Sequence, residues 1–174
     1  YLVALWVDSR IFPPPLTVLK VLLESIAQGE LQFHIGQTLM RVVTSFVLAM
    51  TVGIGIGIVL GISKSLDRFF DSWLTLFLNI PALVTIILCY VWLGLFETAA
   101  ILAVAINKIP NVIITIREGA RALERDYFEM AHSFRLSRPV VLRQIILPQL
   151  SPYLMATTRS GLALIWKIVL VVEL

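Results

Sequence analysis

The sequence predicts an all-α integral membrane bundle, and three observations carry that prediction. Hydrophobic residues fill 59% of the 174 positions and charged residues 14%, where a soluble domain carries about a quarter charged residues. Two runs hold no charge at all: Val42 to Ile62, 21 residues, and Ser72 to Phe96, 25 residues. A hydrocarbon core ~30 Å thick is crossed by roughly 20 apolar residues rising 1.5 Å each, so either run spans it. Third, two more apolar segments adjoin them. A buried helix of a soluble protein accounts for one such run but not for a succession.

The net charge of +3 matters less than where the charges lie. No nucleic-acid partner is expected. Cys89 is the single cysteine; it cannot form an internal disulfide and has no metal-ligand spacing around it. The chain lacks an initial Met and a signal-peptide pattern. It opens on Tyr1–Val7 and closes on Val169–Leu174, both hydrophobic. It therefore reads as one transmembrane domain, 1–174, with a helix cut at each end.

Residues 1–8 are expected to be the exit end of a membrane helix. Pro13-Pro14-Pro15 stops it, because proline lacks the N–H and clashes with the preceding turn. A short helix over about 17–28 follows, with Thr17 as cap, Leu19, Leu22, Leu23 and Ile26 at helical spacing, and Gly29 as terminator. Short and amphipathic, it is expected on the outer membrane surface.

A crossing over about 37–62 carries Gly53, Gly57 and Gly61 on one face. Such a stripe lets helix backbones approach closely in lipid. Gly61-Ile-Ser-Lys64-Ser65 only echoes the end of a phosphate loop, which needs its glycine spacing after a strand. After a polar turn at 63–68 comes a crossing over about 70–93, broken at Asn79-Ile-Pro81. The next crossing, about 98–116, is expected to be interrupted at Asn107-Lys108-Ile-Pro110-Asn111. A last one covers about 149–172. The 63–68 turn and the segment 117–143 hold eight Lys and Arg residues, against Arg10, Lys20 and the edge residue Arg41 opposite. That bias makes both basic segments cytoplasmic.

Residues 117–143 hold ten charges in 27 positions. Leu123, Tyr127, Met130/Ala131 and Phe134 form one helix stripe. A second helix is expected after Ser137, an N-cap followed by Pro139 in the first turn, and to end before Pro148. Three readings of this island compete: a hairpin on anionic lipid, a solvated loop, and a docking element for a cytoplasmic partner. Glu124, Asp126 and Glu129 among the arginines count against a purely lipid-binding surface.

Glu129-Met130-Ala131, thirteen residues, then Ile145-Ile146-Leu147-Pro148 resembles the cytoplasmic signature of permease subunits of binding-protein-dependent ABC importers. That signature reads Glu-Ala-Ala, three residues, Gly, nine residues, Ile-x-Leu-Pro. Pro13–Leu19, the polar turn after the glycine-rich helix, Gly161–Trp166 and Val172-Glu173-Leu174 look like the nitrate/sulfonate/taurine/bicarbonate branch. The resemblance covers nearly the whole chain. It implies a type I ABC importer-like bundle in the bacterial inner membrane, with a cytoplasmic coupling region over 117–148. It further implies that Glu129, Met130, Ala131, Ser133, Arg135, Leu136, Ile145, Leu147 and Pro148 contact or shape the contact with an ATPase. Arg135 stands where the family has glycine. Either the turn differs here, or Arg135 bears a left-handed backbone at a cost of roughly 1–2 kcal/mol.

Partners implied by the resemblance are two ATP-binding cassette subunits, a second permease (the same chain or a similar one), an extracytoplasmic solute-binding protein and lipid. ATP and Mg belong to the ATPase, so this chain is expected to hold no cofactor and catalyse no hydrolysis. The mechanism implied is alternating access.

Lys108, Arg159 and Lys167 lie within membrane runs, where a central charge costs at least ~2.5–3.5 kcal/mol. Snorkelling accounts for those near an end. Acids are scarce nearby, with only Glu97 and Glu173 on the outer side. Together with Asn79 and Glu173, these cations are candidates for a pathway for a small anion; purely structural cations are the competing reading. His34 and His132 are expected at the surface, and no cluster has metal or triad spacing. An ion-coupled secondary transporter or channel is the alternative function, although such a carrier has no use for the two-part signature.

Overall fold

The computed structural model describes residues 14–173, so the expected helix at 1–8 lies outside the described residues. Helices α1 (Pro15–Gln28), α2 (Glu30–Ile62), α3 (Lys64–Asn79), α4 (Ala82–Leu93), α5 (Glu97–Arg121), α6 (Arg125–Ser133) and α7 (Arg138–Val141) precede a π-helical turn, Leu142–Ile146, and α8 (Leu147–Glu173). The chain divides into two units, residues 1–40 and 41–174.

In the first unit, α1 starts at Pro15, and Pro14 rather than Thr17 holds the N-cap position. No side-chain hydroxyl caps it. Proline suits the first turn, whose N–H groups have no helical acceptor in any case. Gly29 closes it at φ 80°, and Gln32 Nε2 donates to the last-turn carbonyl of Ile26 at 3.0 Å. No residue of α1 is buried. Because Gly29 alone separates α1 from α2, the second helix begins at Glu30 and not near 37.

In the second unit α5 is the hub. Its face runs Ala99, Ala100, Ala103, Val104, Val112, Ile113, Ile116 and Ala120, all buried. Small residues at its start let three neighbours close on it. Val42 and Phe46 of α2 meet Val104, Ile165 and Val169. Leu60 and Leu74 meet Ile113. Ile86 and Cys89 of α4 meet Ala103, with Ile168 and Val172 alongside.

The glycine stripe does what its spacing predicts. A Cβ on Gly53 would stand 2.6 Å from Val112 Cβ, and one on Gly57 2.8 Å from Ile116 Cβ; one on Gly61 would collide with Ala120 Cβ. Glycines at 53, 57 and 61 thus face residues 112, 116 and 120, in ascending order on both helices. Helices α2 and α5 are therefore parallel. Their starts agree, since Arg41 pairs with Glu97 and Ser45 Oγ donates to the Ile101 carbonyl at 3.2 Å. The chain leaves α2 at one end of the bundle and enters α5 at the other, so α3 and α4 must carry it back.

That return is a broken span. Helices α3 and α4 meet at 93°. Ile80 is extended, φ −73° and ψ 122°, the conformation imposed on a residue before proline, and Pro81 caps α4. The polar turn shrinks to Ser63, because α3 already begins at Lys64. Helices α2, α5 and Arg138–Val172 are each long and apolar enough to cross a membrane, and the bent α3–α4 pair, counted as one span, brings the described residues to four.

Two expected interruptions are absent. Pro110 is buried inside an unbroken α5. Packing on several sides holds the helix together there, as bilayer-embedded bundles allow. Likewise the helix after Ser137 does not end before Pro148, and runs on to Val172. The π turn absorbs the proline: Leu147 N–H bonds to the Leu142 carbonyl, five residues back. Widening the helix there makes room for a ring that would clash with a regular α turn. Pro152 sits inside α8, and Ser151 Oγ donates 2.8 Å to Pro148 O, the carbonyl that Pro152 leaves without its N–H.

Candidate functional site

The bundle's basic end carries the 125–148 hairpin. Helix α6 buries Ala131, 5% exposed, and turns Glu129, Met130 and Ser133 outward. Arg135, Leu136, Leu147 and Pro148 are also exposed, whereas Ile145 is buried. Ala131 and Ile145 therefore anchor the two halves, and the others form the accessible surface. Ser133 Oγ donates back to the Glu129 carbonyl at 2.9 Å.

The turn after α6 resolves the ambiguity at Arg135. Leu136 N–H donates to Ala131 O at 2.9 Å and Arg135 N–H to His132 O at 3.1 Å. This pair of bonds is a Schellman motif, and Arg135 occupies its left-handed position at φ 51°. The glycine geometry is kept without the glycine. A side chain is gained at the tip, against roughly 1–2 kcal/mol of backbone strain.

Behind the hairpin lies an ionic network that the sequence reading missed. Arg117, 8% exposed, donates through Nη1 to Asp67 Oδ1 at 3.1 Å and Asp71 Oδ1 at 2.6 Å, and through Nε to Glu118 Oε1 at 3.2 Å. Arg121 closes the ring onto Asp67 Oδ2 and, at 3.0 Å, onto Glu118 Oε1. The signal was present: Asp67/Asp71 and Arg117/Arg121 are both i,i+4 pairs, each presenting two like charges on one helix face. The network also joins the two basic segments directly, so both lie at one end of the bundle. At that end Gln149 reaches across, accepting from Glu124 N–H at 3.1 Å and donating to Ile145 O at 3.2 Å.

The structure does not gather the interior cations into one site. Lys108 is 2% exposed, its Cε 3.3 Å from the point where a Cβ on Gly161 would stand. Among the described residues, Lys108 Nζ and Thr157 Oγ1 are buried without a hydrogen-bond partner. Arg159 and Lys167 instead lie exposed on α8, Arg159 beside an open groove of about 630 Å³ with Pro152, Met155 and Thr158. Asn79 is exposed at the α3–α4 break, donating to Thr75 O at 2.7 Å. The Glu173 side chain lies outside the described set. His34 and His132 are exposed, and no group of His, Cys, Asp and Glu fit for a metal occurs among the described residues.

A multi-pass helical bundle with a short exposed helix hung from its basic end defines a class of membrane transport subunit. Residues 53–174 match the family model of the binding-protein-dependent transport system inner membrane component, and the chain belongs to that family. It is 32% identical over 168 residues to the "Putative aliphatic sulfonates transport permease protein SsuC" of Escherichia coli K12, covering 97% of this chain and 64% of that one. The taurine transport system permease protein TauC of the same organism is 28% identical over 173 residues, covering 97% and 63%. The bicarbonate transport system permease protein CmpB of Synechococcus elongatus is 27% identical over 137 residues, covering 79% and 49%. The chain thus spans less than two thirds of the length of these relatives.

Proposed function

We propose that this chain is the translocating part of an ATP-driven importer for a small anion of the sulfonate, taurine or bicarbonate class. Its proposed partners are two ATP-binding subunits at the basic end, a second permease copy or similar chain, and an extracytoplasmic binding protein that delivers the solute. The concentration of Lys and Arg at the α6 end supports a cytoplasmic side for that end, by the positive-inside rule.

The observation that carries the reading is the outward face of α6. Glu129, Met130 and Ser133, with Arg135 and Leu136 in the turn, form an accessible, mixed apolar and charged knob on a helix anchored by Ala131. A knob of that kind fits a cleft in a partner, with Glu129 making a charge-assisted contact. Closure of the ATP-binding subunits displaces α6 and its equivalent in the second permease, and the bundle alternates between outward and inward access. In this reading Lys108, Arg159 and Lys167 supply positive potential to a passing anion, with Asn79 and Glu173 as further candidate pathway residues.

Two measurements test this. The ATPase subunit should co-purify with the tagged wild-type permease, and Glu129→Ala should weaken that association and the solute-stimulated ATP hydrolysis together. Unchanged assembly and stimulation would remove Glu129 from the contact. For the pathway, uptake of taurine, an alkanesulfonate and bicarbonate is compared in wild type, Arg159→Gln and Lys108→Gln. Full uptake by both variants refutes the pathway role.

A further inference from the structure

The helix running from Arg138 to Val172 is continuous yet weak at one place. The π turn Leu142–Ile146 replaces regular bonds with a five-residue one from Leu147 to Leu142, and Pro148 next to it contributes no N–H. Such irregular turns are where long helices flex. A force applied at α6 and passed along the chain through α7 reaches this segment first, and an irregular turn is the part of a helix that gives most easily.

Gln149 lies one residue beyond the weak segment, on its membrane side. Its amide spans the gap with both ends occupied. Oε1 accepts the Glu124 N–H at 3.1 Å, and Glu124 is the N-cap of α6. Nε2 donates to Ile145 O at 3.2 Å, a carbonyl within the π turn. One side chain thus ties the start of α6 to α8 and braces the turn between them. Directly above, Gly119 of α5 admits Tyr153, since a Cβ there would stand 2.6 Å from Tyr153 Cγ. The ends of α5 and α8 are therefore in close contact where the tie is made.

Resting on the reading of α6 as the docking helix, we infer that Gln149 is the positioning residue that makes α6 and the membrane portion of α8 move as one body. With the tie in place, displacement of α6 bypasses the π turn and enters α8 at residue 149. Without it, the turn yields and the displacement is lost.

The test uses the full permease purified with its ATPase subunits. Spin labels replace the exposed residues His132 on α6 and Met155 on α8, in a Cys89→Ala background. Their separation is measured with and without ATP and vanadate, in wild type, Gln149→Ala and Gln149→Glu. Wild type is expected to keep one separation in both states. Gln149→Ala is expected to change separation on ATP binding, and to lose about fivefold of the stimulation of ATP hydrolysis by the binding protein, the factor that one net hydrogen bond supplies. Gln149→Glu keeps the acceptor for Glu124 N–H but loses the donor to Ile145 O, so it is expected to fall between wild type and Gln149→Ala in both readouts. A role confined to stability would lower the melting temperature of Gln149→Ala and move neither readout, which overturns the inference. A Glu variant as uncoupled as Ala overturns it too. Absence of the ATPase subunit from the wild-type complex would instead overturn the reading of α6, and the inference with it.

Discussion

Arg41 and Glu97 meet fork to fork: Nε donates to Oε1 and Nη2 to Oε2, each at 2.7 Å. This bidentate geometry is the stronger form of ion pair, although both side chains stay partly exposed, at 25% and 47%. The pair ties α2 to the first turn of α5 at the end opposite the hairpin. A double-mutant cycle with Arg41→Gln and Glu97→Gln, read by thermal unfolding in detergent, should give a coupling of about 0.5–1 kcal/mol. It should shrink as salt is added. A salt-independent coupling would show that the pair is shielded.

The network at the other end should cost far more to break. Arg117 is enclosed, and breaking a buried pair costs up to about 3–5 kcal/mol; Asp67 is its least exposed partner and also holds Arg121, while Asp71 and Glu118 still compensate part of the charge. Asp67 is nearly enclosed and Asp71 mostly exposed, with side chains 12% and 58% accessible. Asp67→Ala is therefore expected to lower the melting temperature more than Asp71→Ala. Equal effects would mean that Asp67 contributes no more than a surface pair.

Close approach along the glycine stripe makes an asymmetric prediction. Gly57→Ala places a methyl 2.8 Å from Ile116 Cβ and 2.9 Å from the Ile113 carbonyl, and overpacking of this kind costs about 1–3 kcal/mol. Gly55 has nothing within 4 Å. Gly55→Ala should be neutral or slightly stabilising, since alanine is the better helix former. The yield of monodisperse protein and its unfolding temperature should separate the two variants.

At Arg135, exchange for glycine removes the left-handed strain. Arg135→Gly should raise stability by about 1 kcal/mol while removing a charge from the hairpin tip. Arg135→Val should lower it, because a β-branched side chain tolerates φ 51° less well. If Arg135→Gly leaves association with the ATPase unchanged, the arginine has no part in that contact.

Lys108 sets stability against function. Methionine matches its length without the unpaired ammonium, so Lys108→Met should unfold at a higher temperature. If the charge serves an anion, the same variant should transport less. A variant both more stable and fully active would make Lys108 a structural cation.

Much of the bundle could be read from the sequence because lipid leaves few solutions. Charge-free runs of 21 and 25 residues had to be helical spans, and glycines four apart had to face a neighbour. Asn79-Ile-Pro81 announced a break, because the residue before a proline is driven out of the helix. Pro110 and Pro148 announced breaks that do not exist. A proline removes one bond, and whether the helix survives depends on what packs around it or on a π turn that absorbs it, neither of which is visible locally. At Arg135 the motif's spacing fixed the place of the turn but not whether an arginine would adopt its glycine conformation. The Asp67–Arg117 network required knowing that α2 and α5 are parallel, since only then do α3 and the end of α5 come together. Lys108 was recognised as a mid-span charge, but its separation from Arg159 and Lys167 follows from how α8 rotates about its own axis.

The stripe that joins α2 to α5 repeats every four residues on both helices: 53, 57 and 61 against 112, 116 and 120. A comb fits its partner again after sliding by one tooth. Displacing α2 along α5 by one turn, about 6 Å, would still set glycines of the stripe against Val112, Ile116 or Ala120. Van der Waals contact alone therefore chooses poorly between such alignments. Arg41 and Glu97 do not recur at that interval, so they act as an end stop. The ion pair contributes little to the depth of the native well, but together with the Asp67–Arg117 pair at the other end it opposes a slide that the stripe alone would tolerate.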